Sequence, residues 1–254
     1  MKKLSILLLS LMITVLGKAQ ESAQLLFDQA NTLLEESEYY DALNQYRNIE
    51  SMNMVSGALF LNMGIAATQI DSIGLAKYYF LKASSFPTTK SSALEALQYV
   101  ESQFSRQSAM LPKLPWDRAV DWLKEEPTST GVFLIGFILL FCTLILILLR
   151  WFTTLNPKRY RAILLSMLIP GVLLVLLAFY VDYVDYRYSQ AVIIENEIQV
   201  RQRPDDASEL VSLAYEGYEI TVDESLSSEH DNWLYIRLGN GQFGWIHTQG
   251  VKIL

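Results

Sequence analysis

The apolar positions of this chain change character from one end to the other, and three blocks are nearly continuous. The first runs from Leu4 to Leu16, after Met1-Lys2-Lys3 and before Gly17-Lys18-Ala19-Gln20. A cationic start, an apolar centre of about a dozen residues and small residues at its end predict a secretory signal peptide over residues 1–19; the alternative, an uncleaved anchor, would need ~20 apolar residues. No Cys lies near the cleavage point, so lipid attachment is not indicated. The second block, Gly131 to Leu149, is broken only by Thr143, and the third, Ala162 to Val181, only by Ser166 and Pro170-Gly171. A buried soluble helix would alternate polar and apolar faces. Neither block does, so 131–149 and 162–181 predict transmembrane helices. Pro170 then predicts a kink, which membrane helices tolerate.

Between the signal peptide and the first span, residues 21–107 repeat themselves. At a shift of thirty-four residues, Leu26, Ala30, Ala42, Tyr46 and Ile49 superpose on Phe60, Gly64, Ala76, Phe80 and Ala83. The small residues let paired helices approach, and the large ones fill the space between them. Thirty-four residues is the period of the tetratricopeptide repeat (TPR), and residues Ala23 to Pro87 resemble that family. They depart from it at Met54, where the family usually has Pro, and at Pro87, which comes one residue early. A third unit starts and stops, with Leu94 and Leu97 in register over Ser91 to Phe104, predicting a closing helix. Two repeats and one helix are fewer than a stable stack needs, so the module is expected to lean on something else: the stretch Trp116 to Lys124, the membrane surface, or a partner.

The TPR resemblance implies a concave groove formed by Gln24, Phe27, Asp28, Asn31, Leu61, Asn62, Ile65, Gln69, Glu95 and Tyr99. Phe27, Asn31, Leu61, Asn62, Ile65 and Tyr99 are its candidate peptide-binding residues. Asn31 and Asn62 match two positions of the family's carboxylate clamp, but its basic positions are here Phe27, Ser92 and Ala96. Without cations a carboxylate is poorly held. An extended or helical protein segment is the expected ligand, and solvated helix positions are the plain alternative for the Asn pair.

Residues 108–130 form a juxtamembrane segment in which Trp116, Val120 and Leu123 fall at helical spacing. The two Trp side chains, Trp116 and Trp122, suit either the bilayer interface or packing on the repeat stack.

From Ser189 to Leu254 the pattern becomes that of short strands. Ala191-Val192-Ile193-Ile194, Leu210 to Leu213, Tyr218 to Val222, Trp233 to Leu238 and Phe243 to Ile246 are β-rich runs separated by Gly, Asn, Asp and Ser. Asn240-Gly241 predicts a tight hairpin, since both residues tolerate positive φ. Closely spaced short strands in so small a segment predict a small all-β barrel. Val200-Arg201-Gln202-Arg203-Pro204, Gly217, Trp233-Leu234-Tyr235-Ile236, Asn240 to Ile246 and Val251-Lys252-Ile253 resemble the bacterial SH3-like (SH3b) family. Gln202-Arg203 departs from the small residues that family has before Pro. The aromatics Tyr215, Tyr218, Trp233, Tyr235 and Trp245 could line a groove for peptide or cell-wall glycan. Tyr218 and Tyr235 are the candidate ligand surface, whereas Trp245 is expected in the core.

Charge orients these parts. The connector 150–161 holds Arg150, Lys158, Arg159 and Arg161 and no acid, so it is expected in the cytoplasm. Gln20 to Thr130 carries eight Lys/Arg against fourteen Asp/Glu, and Asp182 to Leu254 carries five against thirteen. Both flanks are therefore expected on the exported, periplasmic side, and neither is basic enough for nucleic acid. Cys142, the single cysteine, lies inside the first span and precludes an intramolecular disulfide. His230 and His247 have no metal, nucleophile or phosphate-loop motif around them, so no catalytic residue, metal or cofactor is expected. Asp205-Asp206 reads as a turn, and Asp182 and Asp185 as the outer end of a span.

The expected architecture is thus a multidomain membrane protein: signal peptide, α-helical TPR solenoid, two-helix transmembrane hairpin and SH3-like barrel (residues 189–254). In that order it resembles the BatE family of the Bacteroides aerotolerance operon, and Lys18-Ala19-Gln20 is typical of that phylum's signal junctions. The resemblance implies an inner-membrane, non-catalytic scaffold working with membrane-bound von Willebrand-A-type Bat proteins and, indirectly, a MoxR-type ATPase. A wall sensor or tether binding peptidoglycan through the SH3b segment is the alternative. Transport through the hairpin is disfavoured, because two spans without an intramembrane charge make a poor path.

Overall fold

The computed structural model describes residues 23–104, 115–125, 128–152 and 156–254, which fall into two compact units. The expected signal peptide, 1–19, lies outside the described residues, as do parts of the juxtamembrane segment and of the basic connector.

In the first unit, five helices follow one another: α1 (residues 23–35), α2 (Tyr39–Ser51), α3 (Gly57–Gln69), α4 (Ile73–Ser84) and α5 (Lys90–Gln103). Size complementarity brings them together. Ala30, Ala42 and Ala76 are fully buried, and a Cβ at Gly64 would overlap the ring of Phe80, so this crossing needs glycine. Tyr46, Phe60, Leu43, Leu59 and Met63 fill the space so created, each contributing about 1.5–3 kcal/mol by leaving water. Ser56 caps α3 by accepting from the Leu59 N–H at 3.1 Å. Lys82 ties α4 to α2 through Glu50 at 2.9 Å while lying over the Phe60 ring at 4.2 Å. In α5 the inward positions are Ala93, Leu97 and Val100, on one helical face. Leu97 is buried as its register implies, but Leu94 is 47 % exposed, because it lies one step around the helix from that face.

The same unit contains the strands, apart from the junction residues at the ends of β1 and β4: β1 (Tyr188–Ile193), β2 (Glu197–Arg201), β3 (Leu210–Tyr215), β4 (Glu219–Asp223), β5 (Trp233–Leu238), β6 (Phe243–His247) and β7 (Val251–Ile253). They form one antiparallel sheet in the order β3-β2-β6-β5-β4-β1-β7, in place of the closed barrel expected from strand spacing. Closure requires the edge strands to pair. Here β7 is three residues long and bonded to β1, while β3 is bonded to β2. Ile193, Val200, Ile220, Val222, Ile236 and Ile246 lie at the centre of the sheet's apolar core. At the β5–β6 turn only Gly241 takes positive φ (+85°), donating to Leu238 O at 2.9 Å. Asn240 instead accepts from the Gln242 N–H at 3.0 Å.

Helices and sheet share a contact that supports the short stack. Val192 is buried in the helical core, and Ile194 packs against it. The Gly74 N–H donates to Glu216 Oε1 at 2.6 Å, and Lys77 Nζ donates to Gly217 O at 3.1 Å. Gly217, at φ +79°, lies so close to Phe104 that a Cβ would overlap the ring. Among the described residues of this unit, the sheet thus packs on the short helical stack.

The second unit holds α6 (Pro115–Glu125), α7 (Thr128–Leu149), α8 (Pro157–Arg187) and the one-turn α9 (Glu224–Ser227). Among the described residues, α7 and α8 are the helices long and apolar enough to cross a membrane, with mean hydropathies of 3.3 and 2.8 in their most apolar windows. They pack antiparallel where Gly136 meets Gly171: a Cβ on Gly136 would lie 3.0 Å from Gly171 O. Most of their remaining surface is exposed, including a stacked ladder of Phe133, Phe137 and Phe141 on α7. Asn156 caps α8 with Pro157 at its first position, and α8 continues through Pro170. Cys142 is half-buried within α7. Lys124 pairs with Asp185 at 3.1 Å, Arg150 lies over the Tyr160 ring at 4.6 Å, and Arg187 grips Asp223 Oδ2 through Nε and Nη2 at 3.1 and 2.9 Å. In α6, Trp122 is exposed, and the Trp116 side chain is outside the described residues.

Candidate binding groove

The six candidate groove residues separate into two sets. Ile65 and Tyr99 line an open cavity of about 320 Å³ between α3 and α5, together with Phe80 and Ala96. Its rim is Thr68, Gln69, Ser92 and Glu95. Ala96 and Ser92 are small and uncharged, so they open the cavity and leave it without a positive charge. Such a lining suits an apolar side chain, with Gln69 free to bond a neighbouring peptide group and Glu95 opposing anions.

Asn31, Asn62, Phe27 and Leu61 belong to a different arrangement. The Tyr46 hydroxyl donates to Asn31 Oδ1 at 2.7 Å, and Asn62 Nδ2 donates to the same oxygen at 2.9 Å. The three side chains join α1, α2 and α3 across the interior of the stack, so the Asn pair serves packing. Burial pushes the Tyr46 hydroxyl up to about 12; the Asn62 hydrogen bond pulls it down less than that, and Glu35 adds a small rise. Phe27 tilts against Tyr46 at 5.8 Å, and Leu61 packs half-buried on the core.

On the sheet, Tyr218 meets Tyr215 edge to face at 5.7 Å and packs on the apolar core, so little of it is free. Tyr235 lies instead on the outer face of the β5–β6 hairpin, where three cross-strand pairs stand in line: Trp233 with His247, Tyr235 with Trp245, and Arg237 with Phe243. Ring centroids are 4.0 Å apart in the first pair and 5.1 Å in the second. His230 meets Trp245 edge to face at 4.7 Å, and His247 Nε2 is 2.9 Å from Asp206 Oδ1. Trp245 is buried, as expected of a core residue, but by these neighbours on the face opposite the aliphatic core. The alternation of aromatic and aliphatic residues in 233–238 and 243–247 carried that face in the sequence.

Among the described residues no three His, Cys, Asp or Glu groups come together as a metal site. No protein-family model matches the sequence, and no curated protein matches it either.

Proposed function

We propose that this chain is a non-catalytic, membrane-anchored scaffold. Its helices act as two TPR units and a closing helix, which hold a segment of an envelope protein. The strands act as an SH3b-like module carried on the same exported side of a bacterial inner membrane. The observation that carries this reading is the open, cation-free cavity at Ile65, Phe80, Ala96 and Tyr99, which fits an apolar anchor of a protein segment. The BatE-like order of parts supports membrane-bound von Willebrand-A-type proteins as partners, with a MoxR-type ATPase reached only through them. The second reading is a wall tether, and the aromatic outer face of β5–β6 favours it, since stacked rings can receive a sugar face.

The test is photo-crosslinking in cells from position 99 of the full chain, followed by mass spectrometry. Recovery of a membrane protein, lost when Ala96→Trp fills the cavity, supports the scaffold. Recovery of none, with the chain folded and inserted, overturns it. Co-sedimentation of the full chain with purified sacculi, lost in Trp233→Ala and Tyr235→Ala, would favour the tether.

A further inference from the structure

We infer that the cavity between the first turn of α7 and the polar end of α8 binds the primary ammonium headgroup of an aminophospholipid. The inference rests on the reading that α7 and α8 cross a membrane. The cavity, about 170 Å³, is lined by Ser129, Thr130, Phe133, Ala178, Phe179 and Asp182. Two carboxylates mark this end of α8. Asp185 is paired with Lys124 at 3.1 Å, whereas Asp182 has no hydrogen bond or ion pair among the described residues. Asp182 is exposed at the polar end of the hairpin and has no ion-pair partner among the described residues, so its charge is open to a cation.

The groups around Asp182 narrow the cation's chemistry. The carboxylate and the hydroxyls of Ser129 and Thr130 supply oxygen acceptors on one cavity, matching the three N–H donors of an –NH₃⁺ group. A quaternary ammonium has no N–H to offer them. Phe133 and Phe179 meet edge to face with centroids 6.1 Å apart, and an aromatic face adds attraction for a cation. Ala178 leaves the space that a larger side chain would fill. Below the cavity the surface continues into the exposed rings of Phe137 and Phe141, along which acyl chains can lie. This continuity selects a lipid over a soluble amine.

The full chain is reconstituted in vesicles containing equal amounts of ethanolamine, choline and glycerol phospholipids with matched chains. Flotation is scored first; after gentle extraction the retained lipids are then quantified by mass spectrometry. The expected result is flotation with roughly tenfold enrichment of the ethanolamine lipid, the size of one charge-assisted hydrogen bond. Asp182→Asn and Ala178→Leu should return the retained lipid to the bulk ratio, and Asp185→Asn should leave the enrichment in place. Flotation without enrichment, equal enrichment of the choline lipid, or unchanged enrichment in Asp182→Asn overturns the site and leaves the membrane reading standing. Failure to float overturns both.

Discussion

Lys77 Nζ lies 2.8 Å from Glu219 Oε1, with the lysine only 7 % exposed. The same ammonium donates to Gly217 O at 3.1 Å and lies 3.5 Å from Glu101, so acceptors surround it on helix and sheet. A buried ammonium is tolerated only with such partners. Lys77→Met keeps the stem and removes the charge, leaving Glu219 and Gly217 O unpaired. The expected cost is about 1.5–3 kcal/mol in denaturant unfolding of the full chain in detergent. A double-mutant cycle with Glu219→Gln should give a coupling of about 1 kcal/mol. Strictly additive losses would refute the pairing.

Gly64→Ala sets two effects against each other. Alanine favours the helix by about 1 kcal/mol, but its Cβ would overlap the Phe80 ring, and overpacking costs about 1–3 kcal/mol. Loss of stability is expected, with Phe80→Leu relieving part of it in the double variant. A stabilised Gly64→Ala protein would show that α3 and α4 do not approach so closely.

Tyr46 makes the first unit sensitive to alkali. Folding raises its hydroxyl from 10.0 to about 12, so the folded state holds that proton more tightly. The stabilisation is complete below pH 10 and is lost as the pH rises through 12. Tyr79, also raised by burial, loses its contribution in the same direction. Tyr46→Phe should cost about 1 kcal/mol at neutral pH and flatten part of the alkaline decline in stability. An unchanged alkaline profile in this variant would contradict the assignment.

The groove should be indifferent to a carboxyl terminus. Peptides captured by the full chain are expected to bind equally as free acids and as C-terminal amides, because no cation lines the cavity and Asn62 Nδ2 is bonded to Asn31. Saturable binding that disappears on amidation, measured by fluorescence anisotropy, would sink this reading.

The helical packing was legible because it follows from residue size at a fixed spacing. Ala30, Ala42, Gly64 and Ala76 are buried where the thirty-four-residue shift put small residues. Leu94 falls in the repeat's register yet is exposed, because the rotation of α5 depends on what it packs against, which local periodicity does not encode. Lys77 gave no signal at all: a lysine in a helix looks solvated until a distant strand covers it. Strand runs were readable from alternation, but closure depends on pairing between sequence-distant edges, so the open sheet was not. Of the candidate groove residues, Ile65 and Tyr99 line one cavity. The Asn31–Tyr46–Asn62 bonding was not legible, since polar residues on facing helices look like a ligand surface until their partners are known.

The meeting of Gly136 and Gly171 sets how closely α7 and α8 approach. The two helices pack along much of their length, and Ser129 is roughly 10 Å along α7 from this close approach. A methyl group at either glycine would therefore be felt at Ser129 and Asp182 as a change in gap, although neither glycine lines the cavity. The two residues with no side chains thus set the width of a cavity that others line.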